Sequence, residues 1–241
     1  MCRLFLALDK NDSHANDEAP SLFAAFRELA VQGRVPPGSP AGHLDGWGWS
    51  YWGKDGGLRL RKEAADPRLP ACAQTINEMA RLHPTLVIGH LRKASPGIPI
   101  RQENTHPFCR EGWAFAHNGT IHDAGRIPIG NLSPEGDGDS ERFFLFLLNR
   151  LRGAAKGDRA TIIGQALAEL DKENLDYTAL NFLLSDGAEA FVSCRYRDLA
   201  LTSYYQLWKR EDAALLAVCS EPIGSGKWVP LENGALVVCR G

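Results

Sequence analysis

The sequence predicts an α+β fold in which two antiparallel sheets are covered by helices on their outer faces. The chain has 241 residues, of which 44% are hydrophobic and 23% charged, as is usual for a globular protein. Strand-like runs and helical periodicities occur in the first part and a series of strands ends the chain, without the regular alternation of a parallel fold. No GxGxxG or Walker sequence opens a helix, so a nucleotide-binding parallel sheet is not predicted.

The first third of the chain predicts a strand, a helix and an aromatic hairpin. An apolar run over residues 3–8 suits a buried strand, and residues 20–31 place apolar side chains at the spacing of an amphipathic helix. Prolines and glycine favour a surface loop over residues 33–43. Two strands, over 46–52 and 58–62, are then predicted to form a hairpin.

The middle of the chain holds the segments in which functional residues are expected. A helix over residues 70–82 precedes a buried strand over 85–91. Residues 92–108 contain three prolines and are predicted to form a loop, and a short strand covers 113–116. Loops held by rigid strands are frequent sites of catalysis and binding.

The last part of the chain predicts two helices and then strands only. One helix is capped by residues 137–140 and ends near residue 152, and the other covers 158–173. From residue 178 the pattern is typical of an antiparallel meander, with strands over 178–184, 189–195, 199–207, 213–218 and 235–239. No repeat or linker divides the chain, so we expect a single domain over residues 2–241.

Composition and charge exclude several classes of protein. The 27 basic and 29 acidic residues give a net charge of -2, and no run of like charges supplies a nucleic-acid footprint. The longest apolar stretches are far shorter than the ~20 residues of a membrane span. The start of the chain meets charged residues too soon for a signal peptide, which places the protein in the cytoplasm.

The cysteines predict neither a disulfide framework nor a structural zinc site. The six cysteines form no CxxC pair and are dilute in a chain of this size. Most are expected to be reduced thiols packed as small hydrophobic side chains. Cys2 is the exception, because no packing argument predicts a cysteine directly after the initiator methionine.

Cys2 can supply both a nucleophile and a base once Met1 is removed. A free α-amine with a pKa near ~7.7–8.0 can take the proton of a thiol whose pKa is about 8.5. The alternative interpretation is an accidental cysteine at position 2.

Three further features suit acyl transfer on an α-amino-acid substrate. Asn118 and Gly119 follow a short strand and can offer a side-chain amide and a main-chain N–H to an oxyanion. Arg92 leaves a buried strand and can bind a carboxylate in bidentate fashion, and Asp139 at a helix start can accept bonds from an α-ammonium. Alternative interpretations are a plain Asn-Gly hairpin turn, a surface arginine and an ordinary helix N-cap.

Together these residues lie in motifs that resemble the class II, N-terminal-nucleophile glutamine amidotransferases, in the same order and over nearly the whole chain. Segments 104–108, 181–187 and 220–222 resemble the stand-alone YafJ-type branch, whose relatives include ergothioneine-pathway γ-glutamyl hydrolases. The motifs are Met1-Cys2, Asp45-Gly46-Trp47-Gly48, Gly89-His90-Leu91-Arg92-Lys93-Ala94-Ser95, Glu103-Asn104-Thr105-His106-Pro107-Phe108, Ala116-His117-Asn118-Gly119 and Asp139-Ser140-Glu141.

The resemblance implies a four-layer αββα sandwich and a role for each site residue. The implied roles are nucleophile for Cys2, oxyanion hole for Asn118 and Gly119, α-carboxylate binding for Arg92, α-ammonium binding for Asp139 and substrate binding for Ser95. Lys93 and Pro96 depart from the pattern of the large synthases, which have an aromatic residue and a histidine there. These departures concern the closure of the substrate loop.

No cofactor or metal is predicted, because no HExxH sequence is present and the spacing of the histidines does not suit a metal site. His106 and His117 are expected to be hydrogen-bonded supports of the site loops. Trp47 and Trp49 are core residues by default, with one of them a candidate for the pocket mouth.

The sequence therefore predicts hydrolysis of the γ-glutamyl amide of glutamine or of a γ-glutamyl conjugate through a γ-glutamyl thioester. Residues 33–43 and 46–52 are the candidate selectors of the leaving amine. We expect the enzyme to act alone or as a homodimer on a small-molecule substrate. The alternatives are a glutaminase subunit that delivers ammonia to a separate synthase and a catalytically silent glutamine-sensing subunit.

Overall fold

The computed structural model describes residues 2–10 and 18–241. The described helices are α1 (Ala19–Gln32), α2 (Pro70–Arg81), α3 (Asp139–Leu151), α4 (Arg159–Lys172) and α5 (Thr202–Tyr205). The described strands are β1 (Arg3–Asp9), β2 (Trp47–Trp52), β3 (Leu58–Glu63), β4 (Leu86–Leu91), β5 (Phe108–Arg110), β6 (Trp113–Asn118), β7 (Asn181–Ser185), β8 (Glu189–Cys194), β9 (Trp208–Glu211), β10 (Leu215–Cys219), β11 (Val229–Pro230) and β12 (Ala235–Arg240).

The strands form two antiparallel sheets. A seven-stranded sheet has the order β11-β9-β10-β1-β4-β2-β3, and a five-stranded sheet has the order β12-β8-β7-β6-β5. In the larger sheet β1 is central, with Phe5 opposite Cys219 of β10 on one side and Gly89 of β4 on the other. The predicted α+β class with antiparallel sheets is confirmed.

The core explains why β1 consists almost entirely of apolar residues. Leu4, Leu6 and Leu8 pack between the two sheets, while Phe5 and Ala7 point the opposite way, into a cluster with α1 and α2. Both faces of the strand are therefore buried. Helices α3 and α4 cover the outer face of the five-stranded sheet. The resulting order of helices, sheet, sheet and helices confirms the four-layer αββα sandwich.

The strand predicted over residues 199–207 is wrong. This segment forms a 3-10 turn over Leu199–Leu201, followed by α5. The carboxylate of Asp198 accepts a hydrogen bond from the main-chain nitrogen of Ala200, which caps the turn, and both tyrosines of α5 are buried. The turn cap and the burial of neighbouring aromatic residues favour a helical turn over an alternating strand.

The predicted C-terminal meander is also incorrect, because its strands divide between the two sheets. β7, β8 and β12 lie in the five-stranded sheet, whereas β9, β10 and β11 extend the seven-stranded one. The short strands β5, β9 and β11 were not predicted. They have only two to four residues each, which is too short for a periodic pattern.

Three strand ends that carry predicted site residues meet at one end of the sandwich. Arg3 of β1 pairs with Leu91 of β4, so Cys2 and Arg92 extend from neighbouring strands at the same edge. The facing sheet contributes Asn118, the last residue of β6. Among residues 2–10 and 18–241, no helix has the length and apolarity needed to cross a membrane.

Candidate active site

A small cavity lies at the end of the sandwich where these strands meet. Five of the six predicted site residues line it, and Asn118 is buried beside Cys2. The residues lining the cavity are Cys2, Arg92, Lys93, Ser95, Ile98, Asn104, His106, Phe108, His117, Gly119, Gly138, Asp139 and Ser140. The fold thus brings together residues that are far apart in the sequence.

The main chain of Cys2 is held firmly, while its sulfur makes only a weak contact. Its nitrogen donates to Asn118 Oδ1 at 2.8 Å, and its carbonyl oxygen accepts from Arg3 Nε at 2.8 Å and from the Tyr204 hydroxyl at 3.2 Å. The thiol lies 3.7 Å from the carbonyl oxygen of Lys93. The sulfur is therefore positioned in the cavity without being committed to a strong bond.

The side-chain amide of Asn118 has one occupied end and one unoccupied end. Its Oδ1 accepts from the Cys2 nitrogen and lies 3.3 Å from the Tyr204 hydroxyl, whose single proton is shared between this oxygen and the Cys2 carbonyl. Its Nδ2 is buried and has no hydrogen-bond partner within the described part of the chain. A buried unpaired donor costs about 1–3 kcal/mol. A substrate oxygen is the kind of group that would remove this cost.

The Asn118-Gly119 pair is not a hairpin turn. Asn118 is still within β6 and pairs with Asn181 of β7. A Cβ at Gly119 would lie 1.9 Å from the carbonyl oxygen of Ala179, so only glycine fits. The alternative of a plain hairpin turn is therefore wrong, and the oxyanion-hole role of both residues stays a prediction.

Arg92 is a buried cation with only carbonyl partners. Its guanidinium donates to the carbonyl oxygens of Asp45 at 3.4 Å and Pro99 at 3.2 Å, and the side chain is 3% exposed. Within residues 2–10 and 18–241, no carboxylate lies within ion-pair distance of it. Burial lowers the pKa of Arg92, and the nearby Cys2 and Asp45 raise it in part. The interpretation as a surface arginine is wrong, and the position suits an anionic ligand.

Asp139 is the first residue of α3 and does not act as an ordinary N-cap. The N-cap position belongs to Gly138, and Asp139 Oδ2 accepts from the main-chain nitrogen of Ile121 at 2.7 Å. This bond fixes the carboxylate at the cavity wall, where α3 begins. An α-ammonium is a suitable ligand for such a group.

The three histidines of the site differ in their hydrogen bonding. His117 is bonded through both ring nitrogens, with Nδ1 2.9 Å from Ser140 Oγ, which confirms the predicted support. His106 corrects the prediction, because neither ring nitrogen has a partner in the described residues. Its ring stacks on His90 at 4.2 Å and packs edge-on against Phe108 at 4.5 Å. Burial lowers the pKa of all three imidazoles.

Trp47 and Trp49 do not line the cavity. They are 1% and 0% exposed and belong to the cluster between the seven-stranded sheet and helices α1 and α2. The prediction that one of these two tryptophans lines the pocket mouth and helps residues 46–52 to select the leaving amine is therefore wrong. Ser95, by contrast, lines the cavity, and its substrate-binding role stays a prediction.

Sequence reasoning missed the support behind the nucleophile. Arg3 is completely buried, its guanidinium lies 4.0 Å from the centre of the Tyr204 ring, and it pairs with Glu221 at 3.3 Å. Arg3 and Tyr204 are also the two groups that hold the Cys2 carbonyl. The one visible signal was an arginine at the start of a strand whose next five residues are apolar.

The fold is a four-layer αββα sandwich of the N-terminal-nucleophile hydrolase type. The chain belongs to the class II glutamine amidotransferases, since the sequence profile of that family matches residues 26–215. It is therefore an enzyme of the amidotransferase and amidohydrolase type. The matched range begins at residue 26 and does not include Cys2. The assignment of the nucleophile therefore depends on geometry and chemistry.

Known relatives include both bacterial amidotransferases and hydrolases. YafJ of Escherichia coli strain K12, provisionally named a glutamine amidotransferase, is 34% identical over 178 residues, covering 69% of this chain and 67% of YafJ. The γ-glutamyl-hercynylcysteine sulfoxide hydrolase of Mycolicibacterium smegmatis is 26% identical, covering 88% of this chain and 86% of that protein. The solved structure of glutamine phosphoribosylpyrophosphate amidotransferase from B. subtilis shares the fold, with a TM-score of 0.62 at 16% identity. The match covers 99% of this chain and 47% of that enzyme.

Proposed function

We propose that the protein hydrolyses a γ-glutamyl amide through a γ-glutamyl thioester on Cys2. One observation carries this proposal: among the described residues, a single cavity joins a cysteine and a buried arginine without a carboxylate partner, and beside the cysteine lies an Asn118 Nδ2 without a hydrogen-bond partner. These are the three groups that nucleophilic attack, recognition of a free carboxylate and stabilisation of an oxyanion require.

The glutamyl end of the substrate binds between Arg92 and Asp139. The guanidinium of Arg92 takes the α-carboxylate as a bidentate ligand, and Asp139 accepts hydrogen bonds from the α-ammonium. Ser95 adds a hydroxyl from the loop that follows β4. The opposite charges of Arg92 and Asp139 select for an α-amino acid and leave its side-chain amide near Cys2.

Catalysis proceeds in two steps on the Cys2 sulfur. The free α-amine of Cys2 takes the thiol proton, and the thiolate attacks the γ-carbonyl carbon. Asn118 Nδ2 and the Gly119 main-chain N–H donate to the developing oxyanion. The leaving amine takes the proton that the α-amine of Cys2 had accepted from the thiol. Water then cleaves the thioester, which releases glutamate and restores the thiol.

This mechanism requires removal of Met1, because a peptide-bonded nitrogen cannot accept the thiol proton. Met1 lies outside the described residues. The hydrogen bond between the Cys2 nitrogen and Asn118 Oδ1 supports the proposal, since it would hold a free amine in a fixed orientation next to its own thiol.

We further propose that the protein acts alone as a cytoplasmic hydrolase. The relative from Mycolicibacterium smegmatis is named as a hydrolase and has nearly the same extent as this chain. The second candidate is a glutaminase subunit for a separate synthase, favoured by the fold shared with the much longer B. subtilis enzyme.

The test is turnover by the purified protein alone. Glutamate release is measured from glutamine and from a series of γ-glutamyl amides, and intact mass spectrometry records the N-terminus of the same preparation. We expect turnover, a mature chain that begins at Cys2, and no turnover with Cys2→Ala. Full activity with Met1 still attached would refute the mechanism, and activity only after addition of a second protein would favour the synthase subunit.

A further inference from the structure

A second, larger cavity opens beside the catalytic one. This space, called the side groove here, has a volume of about 630 Å³ and is lined by residues of the segments 39–45 and 93–96 together with Thr120 and Thr178. Lys93 and Ser95 line both the side groove and the catalytic cavity. The two spaces are therefore neighbours on either side of the loop that follows β4.

The side groove meets the catalytic cavity along Lys93 and Ser95, beside the reacting atoms. The carbonyl of Lys93 lies 3.7 Å from the Cys2 sulfur, and Thr120 directly follows Gly119. Neither Arg92 nor Asp139 lines the side groove. A γ-glutamyl group held by those two residues would therefore direct the substituent on its amide nitrogen towards the side groove.

The walls of the side groove are mainly carbon, and the charged groups in them already have partners. Pro40, Leu44 and Pro96 contribute apolar surface. The ammonium of Lys93 donates to two carbonyl oxygens of the 39–45 segment, and the Asp45 carboxylate accepts from the main-chain nitrogen of Ala94. An apolar space with engaged charges favours an uncharged, apolar ligand.

We propose that the side groove binds the amine half of a γ-glutamyl conjugate, and that this amine carries an uncharged aromatic or branched aliphatic group. This inference rests on the proposed function and narrows its substrate class. Ammonia, the leaving group from glutamine, is far too small to fill a space of about 630 Å³. Apolar contacts in the side groove therefore raise kcat/KM for conjugates and add nothing for glutamine.

The experiment compares four substrates: glutamine, γ-glutamylmethylamide, γ-glutamylphenethylamide and γ-glutamylglutamate. We expect kcat/KM for the phenethylamide to exceed that for the methylamide by about tenfold or more, since the phenethylamide buries an additional methylene group and a phenyl ring. The acidic dipeptide should gain no such advantage.

Two substitutions narrow the side groove from different segments. Ala41→Trp and Pro96→Trp each place a large ring in it, and both should reduce the preference for the phenethylamide over the methylamide severalfold towards unity. Ala155→Trp is the matched control, because Ala155 is exposed and does not line the side groove. That variant should keep the wild-type preference.

The outcomes separate this inference from the proposed function. Equal kcat/KM values for the methylamide and the phenethylamide would refute the side-groove assignment and leave the proposed hydrolysis standing. The same holds if Ala41→Trp and Pro96→Trp both keep the wild-type preference for the phenethylamide. A preference for γ-glutamylglutamate would also refute it. Failure of the purified, correctly processed protein to release glutamate from any of the four substrates would refute the proposed function first.

Discussion

The Asn118 amide offers the sharpest test of the chemistry. Asn118→Asp replaces the unpartnered Nδ2 with an oxygen of the same shape and keeps Oδ1, the atom that accepts from the Cys2 nitrogen. The variant therefore removes an oxyanion donor and adds a negative charge where the transition state develops one. One such donor contributes on the order of 3 kcal/mol, or ~10²–10³ in kcat.

KM should change little in Asn118→Asp, because the glutamyl end is bound by Arg92 and Asp139. The assay is glutamate release under initial-rate conditions, with thermal unfolding of each variant recorded to exclude loss of fold. Asn118→Ala should also lower kcat, since it removes both ends of the amide. A kcat within a few fold of wild type in Asn118→Asp, or a loss expressed only in KM, would show that Nδ2 is not an oxyanion donor.

Tyr204→Phe is the matched control for this prediction. It deletes only the hydroxyl that donates to Asn118 Oδ1 and to the Cys2 carbonyl, and leaves the ring under Arg3. A net hydrogen bond of about 1 kcal/mol predicts roughly a fivefold loss of kcat. A loss as large as that of Asn118→Asp would mean that positioning, and not the oxyanion donor, dominates.

Three other predictions follow from the burial of charged and titratable groups. Arg92→Ala should mainly raise KM, because the carboxylate contact exists in ground and transition states alike, and a kcat loss at unchanged KM would contradict this. Iodoacetamide at pH 8 should modify Cys2 first, since burial raises the pKa of the other five thiols to about 11 or 12, and peptide mapping checks the order. Burial lowers the pKa of His106, so the unfolded chain binds a proton below pH 6.5 that the folded chain does not. This difference makes the free energy of unfolding fall below pH 6.5 by up to about 1.4 kcal/mol per pH unit. His106→Phe should remove this contribution to the slope of unfolding free energy against pH, as measured by denaturant titrations, and Phe108→Leu should leave the slope unchanged.

The sequence predicted the long elements well because their burial is expressed in a regular pattern. Helix α1 places six buried residues at helical spacing, and β1 is apolar on both faces because it lies between a helix layer and a second sheet. The segment 199–207 failed because its turn depends on a local cap at Asp198 and on tertiary burial of two tyrosines. Neither feature has a period that a single sequence displays.

The site was predicted as a set of residues but not as a geometry. Strand ends with polar residues indicated Arg92 and Asn118, and the structure places both beside Cys2. Tyr204 could not be found in this way, because its hydroxyl reaches the nucleophile from 202 residues away in the chain. A contact of that kind follows from the packing of the two sheets and leaves no local signal.

Two short stretches of chain separate recognition of the glutamyl end from recognition of the amine. In the loop after β4, Arg92 lines only the catalytic cavity, whereas Lys93 lines both spaces. After β6, Gly119 lines the catalytic cavity and Thr120 lines the side groove. Ser95 lines both spaces as well, and both segments leave their strands at the same end of the sandwich. The remaining wall, segment 39–45, contributes no side chain to the catalytic cavity, yet Lys93 ties it to the site through two of its carbonyl oxygens. Substitutions in that segment can therefore alter the choice of amine while the groups that bind the glutamyl end and the oxyanion stay in place.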